Sequence, residues 1–352
     1  MAWEGIQGHD DVVAGFARAA ARGRVAGAYL FIGDEGVGKA TFAKRLARVL
    51  TCESPGDDFT ACGRCSSCIQ AAADSHPDID IVAKPEERAT IPIETFIGTP
   101  EHRMREGLCW RILLRPAIGQ RKVAIILDDD AISEEGANCL LKTLEEPPDA
   151  SVLILVGTAL ERQLPTIRSR CKVVRFRPLP AAVIAEVLAA EGLGDGESRR
   201  EAASAAAGSL ARGRLLVDAG VVAFRRTLVG LLAARPFHGV EAGREITAVM
   251  EAAGKEAARR RPRLKLALEL AIDFYRAGLR LAATGLEPGD PLLARAAAAW
   301  LRAGGTCEQA DTHLRHTLEA LETIDRNANL GMLIDAWTAT IERPRQGLLV
   351  SS

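Results

Sequence analysis

The chain has 352 residues, of which 48% are hydrophobic and 26% are charged, and its formal net charge is −1. This composition is typical of a globular protein with two or three domains. The charge excludes a protein that holds nucleic acid by bulk positive charge alone. The first residues lack a basic segment followed by an apolar core, and no stretch approaches about 18 uncharged apolar residues. We therefore expect a cytoplasmic protein without a membrane segment.

The first chemical motif along the chain is a phosphate-binding loop at residues 33–39, Gly-Asp-Glu-Gly-Val-Gly-Lys. The apolar run 28–32 before it predicts a buried parallel strand, and the composition of 41–50 predicts a helix. A loop between such elements directs backbone N–H groups and a helix N-terminus at phosphate oxygens. The predicted phosphate ligands are Gly33, Gly36, Gly38 and Lys39. The alternative is a glycine turn that binds nothing.

The residue after this loop is Ala40, at the position where a Ser or Thr holds Mg²⁺ in phosphate-loop proteins. Its methyl group offers the ion no oxygen ligand. Thr41 is a poor substitute, because one residue along a helix turns the side chain by about 100° around the axis. The sequence therefore argues against ATP hydrolysis at this loop and leaves binding of ATP with Mg²⁺ doubtful.

Four of the eight cysteines are clustered in residues 52–68, with the spacing C-x9-C-x2-C-x2-C. Four thiolates suit a closed tetrahedral Zn²⁺ site, and a reducing compartment favours metal over disulfides. The predicted zinc ligands are Cys52, Cys62, Cys65 and Cys68. We expect a structural rather than catalytic zinc, with free thiols or disulfides as the alternative. The isolated cysteines are predicted to be packed small residues, and they are Cys109, Cys139, Cys171 and Cys307.

A second apolar run, residues 122–127, ends in Asp128, Asp129 and Asp130. In nucleotide hydrolases such a strand lies beside the phosphate-loop strand, and its terminal carboxylates orient Mg²⁺ and the attacking water. In one register Asp128 and Asp129 fill these two roles. A slip of one residue turns Asp128 away from the metal, because strand side chains alternate between faces. The alternative is an acidic turn into a helix capped by an Asp or by Ser133.

The segment 134–148, which ends in Leu-Leu-Lys-Thr-Leu-Glu-Glu-Pro-Pro, resembles the bacterial DNA polymerase III clamp-loader subunits. These are AAA+ proteins of the gamma/tau and delta prime type. The resemblance also includes residues 5–9, the phosphate loop, the four-cysteine insert, His76-Pro77-Asp78 and residues 164–171, and so covers about the first half of the chain. It implies an α/β domain with a phosphate-loop parallel sheet and a zinc-binding insert, followed by all-α lid and collar domains.

Within this family, Ser169-Arg170-Cys171 resembles a motif whose arginine acts in trans on ATP held by a neighbouring subunit. A guanidinium is always charged and suits the stabilisation of phosphoryl oxygens, which is the arginine-finger role. The resemblance therefore implies that Arg170 is catalytic for a neighbour, and the alternative is a surface arginine before the strand 172–176. Thr158 lies near the family's sensor 1 position, and Arg212 is a sensor 2 candidate.

Two departures from the family pattern favour the delta prime type over gamma/tau. Ala40 replaces the Ser or Thr of the loop. Counted back from Asn138 at the family spacing, the first acidic position falls on Leu127, which leaves Asp128 as the second and a degenerate Walker B element. ATP-hydrolysing gamma/tau subunits need both metal-holding groups, whereas delta prime tolerates a degenerate loop and carries the arginine finger.

The resemblance implies a role in DNA replication within the DNA polymerase III holoenzyme, with no ATPase activity of the chain's own. Its implied partners are the gamma/tau and delta subunits, with the sliding clamp and primer-template DNA reached through the assembled complex and no membrane contact. The main alternative is a gamma/tau-like motor that hydrolyses ATP with Lys39 and Asp128. A zinc-dependent DNA-binding module is a third hypothesis.

After residue 178 the composition is rich in Ala, Leu, Glu and Arg and predicts helices only. Amphipathic segments at 265–281 and 314–337 have stripes wide enough to pack on partner helices or within a self-contained bundle. The basic run 259–263 is predicted to be a solvated helix end or loop, with phosphate contact as the alternative. The predicted domains are 1–177 (AAA+, with the zinc module 52–68), 178–219 (lid), 220–343 (collar and oligomerisation) and 344–352 (flexible tail).

Overall fold

The computed structural model describes residues 3–85, 88, 90–103, 105–324 and 328–342. Backbone contacts divide the chain into two compact units, one of Met1–Leu193 with Ala206–Arg214 and one of Gly194–Ala205 with Leu215–Ser352. The domain boundaries at 177 and 219 stay a prediction, and the predicted tail 344–352 lies outside the described residues. No helix in the described part of the chain has both the length and the apolar character to cross a bilayer.

The first unit contains a sheet of five parallel strands. They are β1 (Ala28–Ile32), β2 (Ile79–Val82), β3 (Lys122–Ile126), β4 (Ser151–Gly157) and β5 (Lys172–Arg175). Their order across the sheet is β2-β3-β4-β1-β5, and every neighbouring pair is parallel. Strands β1, β3 and β4 are buried along their whole length, as expected for parallel strands covered on both faces. The predicted α/β class with a parallel phosphate-loop sheet is confirmed.

The place of β3 in the sheet differs from the sequence expectation. Strand β4 lies between β1 and β3, with Leu155 opposite Leu30 on one side and opposite Ile126 on the other. Neighbouring strands are about 4.8 Å apart, so β3 runs about 10 Å from β1. The expectation that β3 lies beside the phosphate-loop strand was therefore wrong. Strand order depends on the crossover connections between strands, which the residues of one strand do not reveal.

Helices make up most of the remaining described structure. In chain order the α-helices are α1 (Asp10–Ala21), α2 (Lys39–Thr51), α3 (Ser66–Ala72), α4 (Glu94–Ile97), α5 (Leu108–Arg111), α6 (Glu134–Glu145), α7 (Pro165–Arg168), α8 (Ala181–Ala190), α9 (Gly196–Ala205), α10 (Leu210–Leu216), α11 (Ala219–Ala233), α12 (Gly239–Ala252), α13 (Ala257–Thr284), α14 (Pro291–Arg302), α15 (Cys307–Ile324) and α16 (Leu330–Glu342). Short 3-10 turns occur at Pro100–His102, Asp129–Ala131 and Leu160–Arg162.

The sheet of the first unit has a hydrophobic core on each face. Because strand side chains alternate, Leu30 of β1 belongs to one core, whereas Tyr29 and Phe31 belong to the other. The first core contains Leu140 and Leu144 of α6, and the second contains Phe42 and Leu46 of α2. Helices α2 and α6 are thus fixed on opposite faces of the sheet.

The second unit is helical in its described residues, which confirms the helical C-terminal region. Helix α13 packs against α11, α12, α14 and α15, and its Phe274 and Tyr275 are buried with Trp300 of α14. The predicted segment 265–281 lies within α13, and the basic run 259–263 lies in the first turns of that helix. The predicted segment 314–337 covers parts of α15 and α16 rather than one helix.

Candidate functional site

The predicted phosphate loop joins β1 to α2. Gly36 and Gly38 have φ angles of 79° and 99°, and Gly38 is the N-cap of α2. Glycine adopts this left-handed region without the steric cost that other residues meet. The first N–H groups of α2 have no partner within the helix, as at every helix N-terminus. The loop therefore has the backbone form that an anion site requires.

Lys39 is buried within the loop, with 7% of its surface exposed. Its Nζ donates hydrogen bonds to the carbonyl oxygens of Gly33 (2.5 Å) and Asp34 (2.6 Å). Burial lowers the pKa of the Lys39 ammonium, and the negative charges of Asp130, Asp34 and Glu35 oppose this shift. The group that would contact outer phosphates is thus held by carbonyl oxygens of its own loop.

The segment leading into α10 closes one side of the loop. The backbone N–H of Leu210 donates to the carbonyl oxygen of Gly36 at 2.9 Å. A Cβ atom at Gly36 would overlap the Ser209 hydroxyl and lie 2.8 Å from Cβ of Ala211, and the φ of 79° is left-handed, so glycine is favoured there. Arg212, the sensor 2 candidate, lies on the same helix, and its backbone N–H donates to the Ser209 hydroxyl at 3.2 Å. The structure thus places the Arg212 backbone near the phosphate loop, and its sensor role stays a prediction.

The first turn of α2 supplies no hydroxyl at the magnesium position. Ala40 is half-buried, whereas Thr41 is exposed. This difference in burial agrees with the rotation of about 100° between successive helical side chains. Neither residue therefore offers an oxygen to a metal bound at the loop.

The three aspartates after β3 lie in three different environments. Asp128 has a φ of 57°, is exposed, and accepts a hydrogen bond from the backbone N–H of Lys84 at 3.3 Å. Asp129 is buried, and neither of its carboxylate oxygens has a hydrogen-bond partner among the described residues. Asp130 accepts hydrogen bonds from the backbone N–H of Thr158 at 2.8 Å and from Nε2 of Gln163.

Asp130, rather than Asp128, is the carboxylate that approaches the phosphate loop. The Thr158 carbonyl accepts a hydrogen bond from the N–H of Gly33 at 3.1 Å, so Thr158 bonds to both the loop and Asp130. The Thr158 hydroxyl is buried without a hydrogen-bond partner in the described structure. Sequence reasoning missed Asp130 because the left-handed turn at Asp128 changes which side chains face the loop. The assignment of Asp128 and Thr158 to nucleotide binding stays a prediction.

Asp129 lies in a site unfavourable to a charged carboxylate. Burial raises the pKa of Asp129 to about 7, and the negative charge of Asp130 contributes to the shift. Burial also raises the pKa of the Cys171 thiol to about 12, with a contribution from the charge of Asp129. The carboxyl group of Asp129 is thus placed close to the Ser169-Arg170-Cys171 element.

The side chain of Arg170 is held by three acceptors, and 29% of its surface is exposed. Its Nε donates to Oε1 of Glu145 at 2.8 Å, and its Nη2 donates to the same oxygen. Its Nη1 donates to the carbonyl oxygen of Thr166 at 2.9 Å and to the hydroxyl of Ser169 at 3.1 Å. Arg170 is therefore partly exposed but ordered by neighbouring groups. Glu145 was not among the residues predicted from the sequence, because it lies 25 positions before Arg170.

The four clustered cysteines come together as predicted. Their Sγ atoms all lie within 4.8 Å of one another, with 3.9 Å between Cys52 and Cys65 and 4.0 Å between Cys62 and Cys68. A tetrahedral zinc with Zn–S bonds of about 2.3 Å separates its sulfur atoms by about 3.8 Å. The cluster can therefore accept a metal ion of this size.

Backbone groups also favour thiolates in the cluster. The N–H groups of Cys62, Cys65 and Cys68 donate to sulfur atoms of the cluster at 3.3–3.4 Å. The N–H groups of Arg64 and Cys65 lower the pKa of the Cys62 thiol to about 6. Burial opposes the thiolate at Cys68, where it raises the pKa to about 12. The four sulfur atoms thus form a donor set that suits a thiophilic cation.

The other four cysteines only partly follow the expectation of packed residues. Cys109 and Cys171 are buried, and Cys139 is half-buried. Cys307 is exposed at the first position of α15. The expectation was therefore wrong for Cys307, since an isolated cysteine in a sequence does not reveal which face of a helix it occupies.

A chain of buried hydrogen bonds joins the four-cysteine module to the sheet. The Ser67 hydroxyl donates to the carbonyl oxygen of Thr51 at 2.7 Å and lies 2.9 Å from Nε2 of His76. Nδ1 of His76 accepts from the N–H of Asp78 at 3.0 Å, so Nε2 carries the imidazole proton. The Asp78 carboxylate pairs with Nζ of Lys122 at 3.0 Å, at the start of β3. The His-Pro-Asp motif thus positions the module.

Comparisons with known proteins agree with this arrangement. Residues 8–180 match the family model described as DNA polymerase III, delta subunit. The DNA polymerase III subunit delta prime of Pseudomonas aeruginosa is 38% identical over 161 residues, which cover 46% of each chain. The gamma/tau subunit of Mycobacterium tuberculosis is 33% identical over 184 residues, covering 52% of this chain and 30% of that protein. The chain thus spans about half the length of the first relative and less of the second.

A solved structure also aligns with most of the chain. The DNA polymerase III, gamma subunit-related protein of Thermotoga maritima covers 94% of this chain and 98% of its own, with 16% identity and a TM-score of 0.44. The family match at residues 8–180 is more informative, because it includes the phosphate loop, the four cysteines and Ser169-Arg170-Cys171. Residues 8–180 of the chain therefore belong to the clamp-loader subunit family of DNA polymerase III.

Proposed function

We propose that this chain is a delta prime-type subunit of the DNA polymerase III clamp loader. In this role Arg170 acts in trans on ATP bound by a neighbouring subunit, and hydrolysis there helps load the sliding clamp onto primed DNA during replication. The partners are gamma/tau and delta subunits. The observation that carries the proposal is the contrast between Ala40, which offers no magnesium ligand, and Arg170, which presents a partly exposed guanidinium.

Three features support a passive role for the chain's own phosphate loop. Phosphoryl transfer depends on a metal held beside the phosphates, and Ala40 and Leu127 stand where the family has oxygen ligands. Asp128 accepts a hydrogen bond from Lys84 on the side of β2. The carboxylate that does approach the loop, Asp130, already accepts hydrogen bonds from Thr158 and Gln163.

We further infer that the cysteine cluster holds a structural Zn²⁺ ion. The ligands would be Cys52, Cys62, Cys65 and Cys68, whose sulfur spacing suits a closed tetrahedral site. When bound, the ion cross-links the residues that follow α2 to the start of α3. A closed site has no position for a catalytic water, so the metal contributes to folding and not to the reaction.

The rival hypothesis is a gamma/tau-like motor, favoured by the intact loop backbone and by Lys39. It predicts Mg²⁺-dependent ATP turnover by the isolated chain that disappears in Lys39→Ala. The proposed function predicts no turnover by the isolated chain.

The test of the proposal uses the complex assembled with the gamma/tau and delta subunits of the same organism. Arg170→Ala should slow hydrolysis at the site it faces by about 10³-fold, because an arginine finger contributes about 10³–10⁵ to kcat. Single-turnover kinetics resolves this site as a separate slow phase. Arg168→Ala is the matched control, since Arg168 is an exposed arginine two residues away. Unchanged kinetics in Arg170→Ala would overturn the proposal.

A further inference from the structure

We infer that Glu145 is a positioning residue for Arg170, fixing the guanidinium in the orientation from which it meets a neighbour's phosphates. This inference rests on the proposed function, since it assigns Glu145 a part in the same reaction. Glu145 is the last residue of α6 and accepts hydrogen bonds from both Nε and Nη2 of Arg170. Nothing in the sequence spacing of the two residues, 25 positions apart, reveals this contact.

The contacts of Arg170 define one orientation of the guanidinium plane. Glu145 holds the edge formed by Nε and Nη2, and the opposite nitrogen, Nη1, donates to Thr166 and Ser169. Acceptors in the described part of the chain engage four of the five guanidinium N–H groups and leave one N–H of Nη2 for an outside acceptor. Because these acceptors bind two different edges of the guanidinium, they prevent its rotation. The exposed part of Arg170 therefore faces outward in a defined direction.

Glu145 can fix Arg170 because its own helix is rigidly held. Helix α6 begins after Ser133, whose hydroxyl accepts the N–H of Gly136 as an N-cap. Its buried face includes Leu140 and Leu144, which pack in the core under the sheet. A 12-residue helix is about 18 Å long, so α6 links the aspartate turn after β3 to Arg170 as one body. The next residue, Glu146, lies beyond the helix and is exposed.

The charge of Glu145 is not what the reaction needs, because a carboxylate near a triphosphate opposes the binding of its negative charge. Its value lies in geometry, since displacement of a catalytic group by about 1 Å can cost about 10²-fold in rate. The amide of Gln has an acceptor oxygen at the same place without the charge. Glu145→Gln should therefore retain most of the function that Glu145→Ala loses.

The experiment measures single-turnover ATP hydrolysis of the assembled complex with variants of this subunit. Glu145→Ala should lower kcat at the site facing Arg170 by about 10- to 100-fold with little change in KM. The reason is that a displaced Arg170 loses its contact with the phosphates, which is made in the transition state. Glu145→Gln should recover most of this rate. Glu146→Ala is the matched control and should behave as the unmodified subunit. Equal assembly of all complexes is checked by native mass spectrometry.

A double substitution separates positioning from a general effect. If Glu145 acts through Arg170, Glu145→Ala should cause no further loss in the Arg170→Ala background. Wild-type or faster hydrolysis in Glu145→Ala, together with slow hydrolysis in Arg170→Ala, would overturn the positioning role and leave the proposed function intact. A wild-type rate in Arg170→Ala would instead overturn the proposed function itself.

Discussion

The two ends of helix α2 carry two sites in opposite states. The N-terminal end follows the phosphate loop, where Ala40 has no metal ligand, whereas the C-terminal end leads into Cys52 and a full set of four thiols. A phosphate loop binds anions through backbone groups, so its form can survive the loss of side-chain ligands. A four-thiol site has no backbone ligands that remain when a cysteine is replaced, because each missing sulfur removes a coordination position. Side-chain sites therefore stay complete or disappear, while backbone sites can persist without their chemistry.

The largest expected effect follows from breaking the complete site. Cys65→Ser should abolish zinc binding and lower the free energy of unfolding by several kcal/mol, because binding of a structural metal contributes directly to folding. Metal content is measured by atomic absorption, and stability by thermal unfolding. Cys307→Ser is the matched control, since Cys307 is exposed and distant in sequence from the cluster. A stable Cys65→Ser protein that keeps its metal would contradict the four-thiolate site.

A smaller effect is expected in the aspartate turn after β3, from the pH dependence of Asp129. Its pKa is raised from 3.8 to about 7 in the folded protein by burial. Between these values the folded chain keeps a proton that the unfolded chain releases, so the free energy of unfolding falls as pH rises toward 7. A pKa that differs by one between the folded and unfolded chain corresponds to about 1.4 kcal/mol of stability. The free energy of unfolding should therefore fall by a few kcal/mol between about pH 4 and pH 7.

Asp129→Asn tests this dependence, because an amide has no proton to lose. Urea unfolding at pH 5 and pH 8 should show a smaller decrease in stability for the variant than for the unmodified chain. Asp128→Asn serves as the control, since it makes the same substitution at an exposed aspartate of the same turn. Equal slopes in all three proteins would mean that Asp129 is not protonated in the folded state at pH 5.

The comparison also explains how far the sequence predicts the molecule. The cysteine cluster was predicted completely, because its ligands lie within 17 residues and their spacing alone defines the site. The strand β1 and the helix α2 were likewise predicted from an apolar run and its neighbours, and Ser133 was confirmed as an N-cap. These features depend on local sequence, which is the information that a single chain provides.

The features that sequence reasoning missed depend on contacts between distant segments. The order of β3 and β4 follows from crossover connections, and the approach of Asp130 to the loop follows from the left-handed residue at Asp128. The ion pair between Glu145 and Arg170 joins the ends of two helical segments 25 positions apart. No periodicity or motif in the sequence indicates such contacts, so only the folded structure reveals them.

The smallest expected effect comes from returning one ligand to the incomplete site. Ala40→Ser restores the hydroxyl that the loop lacks, yet ATP turnover by the isolated chain should stay at background. One oxygen does not complete a magnesium site when Asp130, the carboxylate that approaches the loop, is hydrogen-bonded to Thr158 and Gln163. Turnover is measured as phosphate release, and nucleotide binding by fluorescence with and without Mg²⁺. Thr41→Ala, which removes the exposed hydroxyl next door, is the control and should also have no effect.

A rise in Mg²⁺-dependent turnover of tenfold or more in Ala40→Ser would mean that a single methyl group is all that separates this loop from a working one. The comparison between the two ends of α2 would then change, because the incomplete site would have kept its carboxylates in usable positions. The hydrogen bonds of Asp130 argue against this outcome, since its oxygens would have to exchange Thr158 and Gln163 for the metal. The ATP turnover of Ala40→Ser thus tests whether the whole aspartate turn or Ala40 alone prevents hydrolysis.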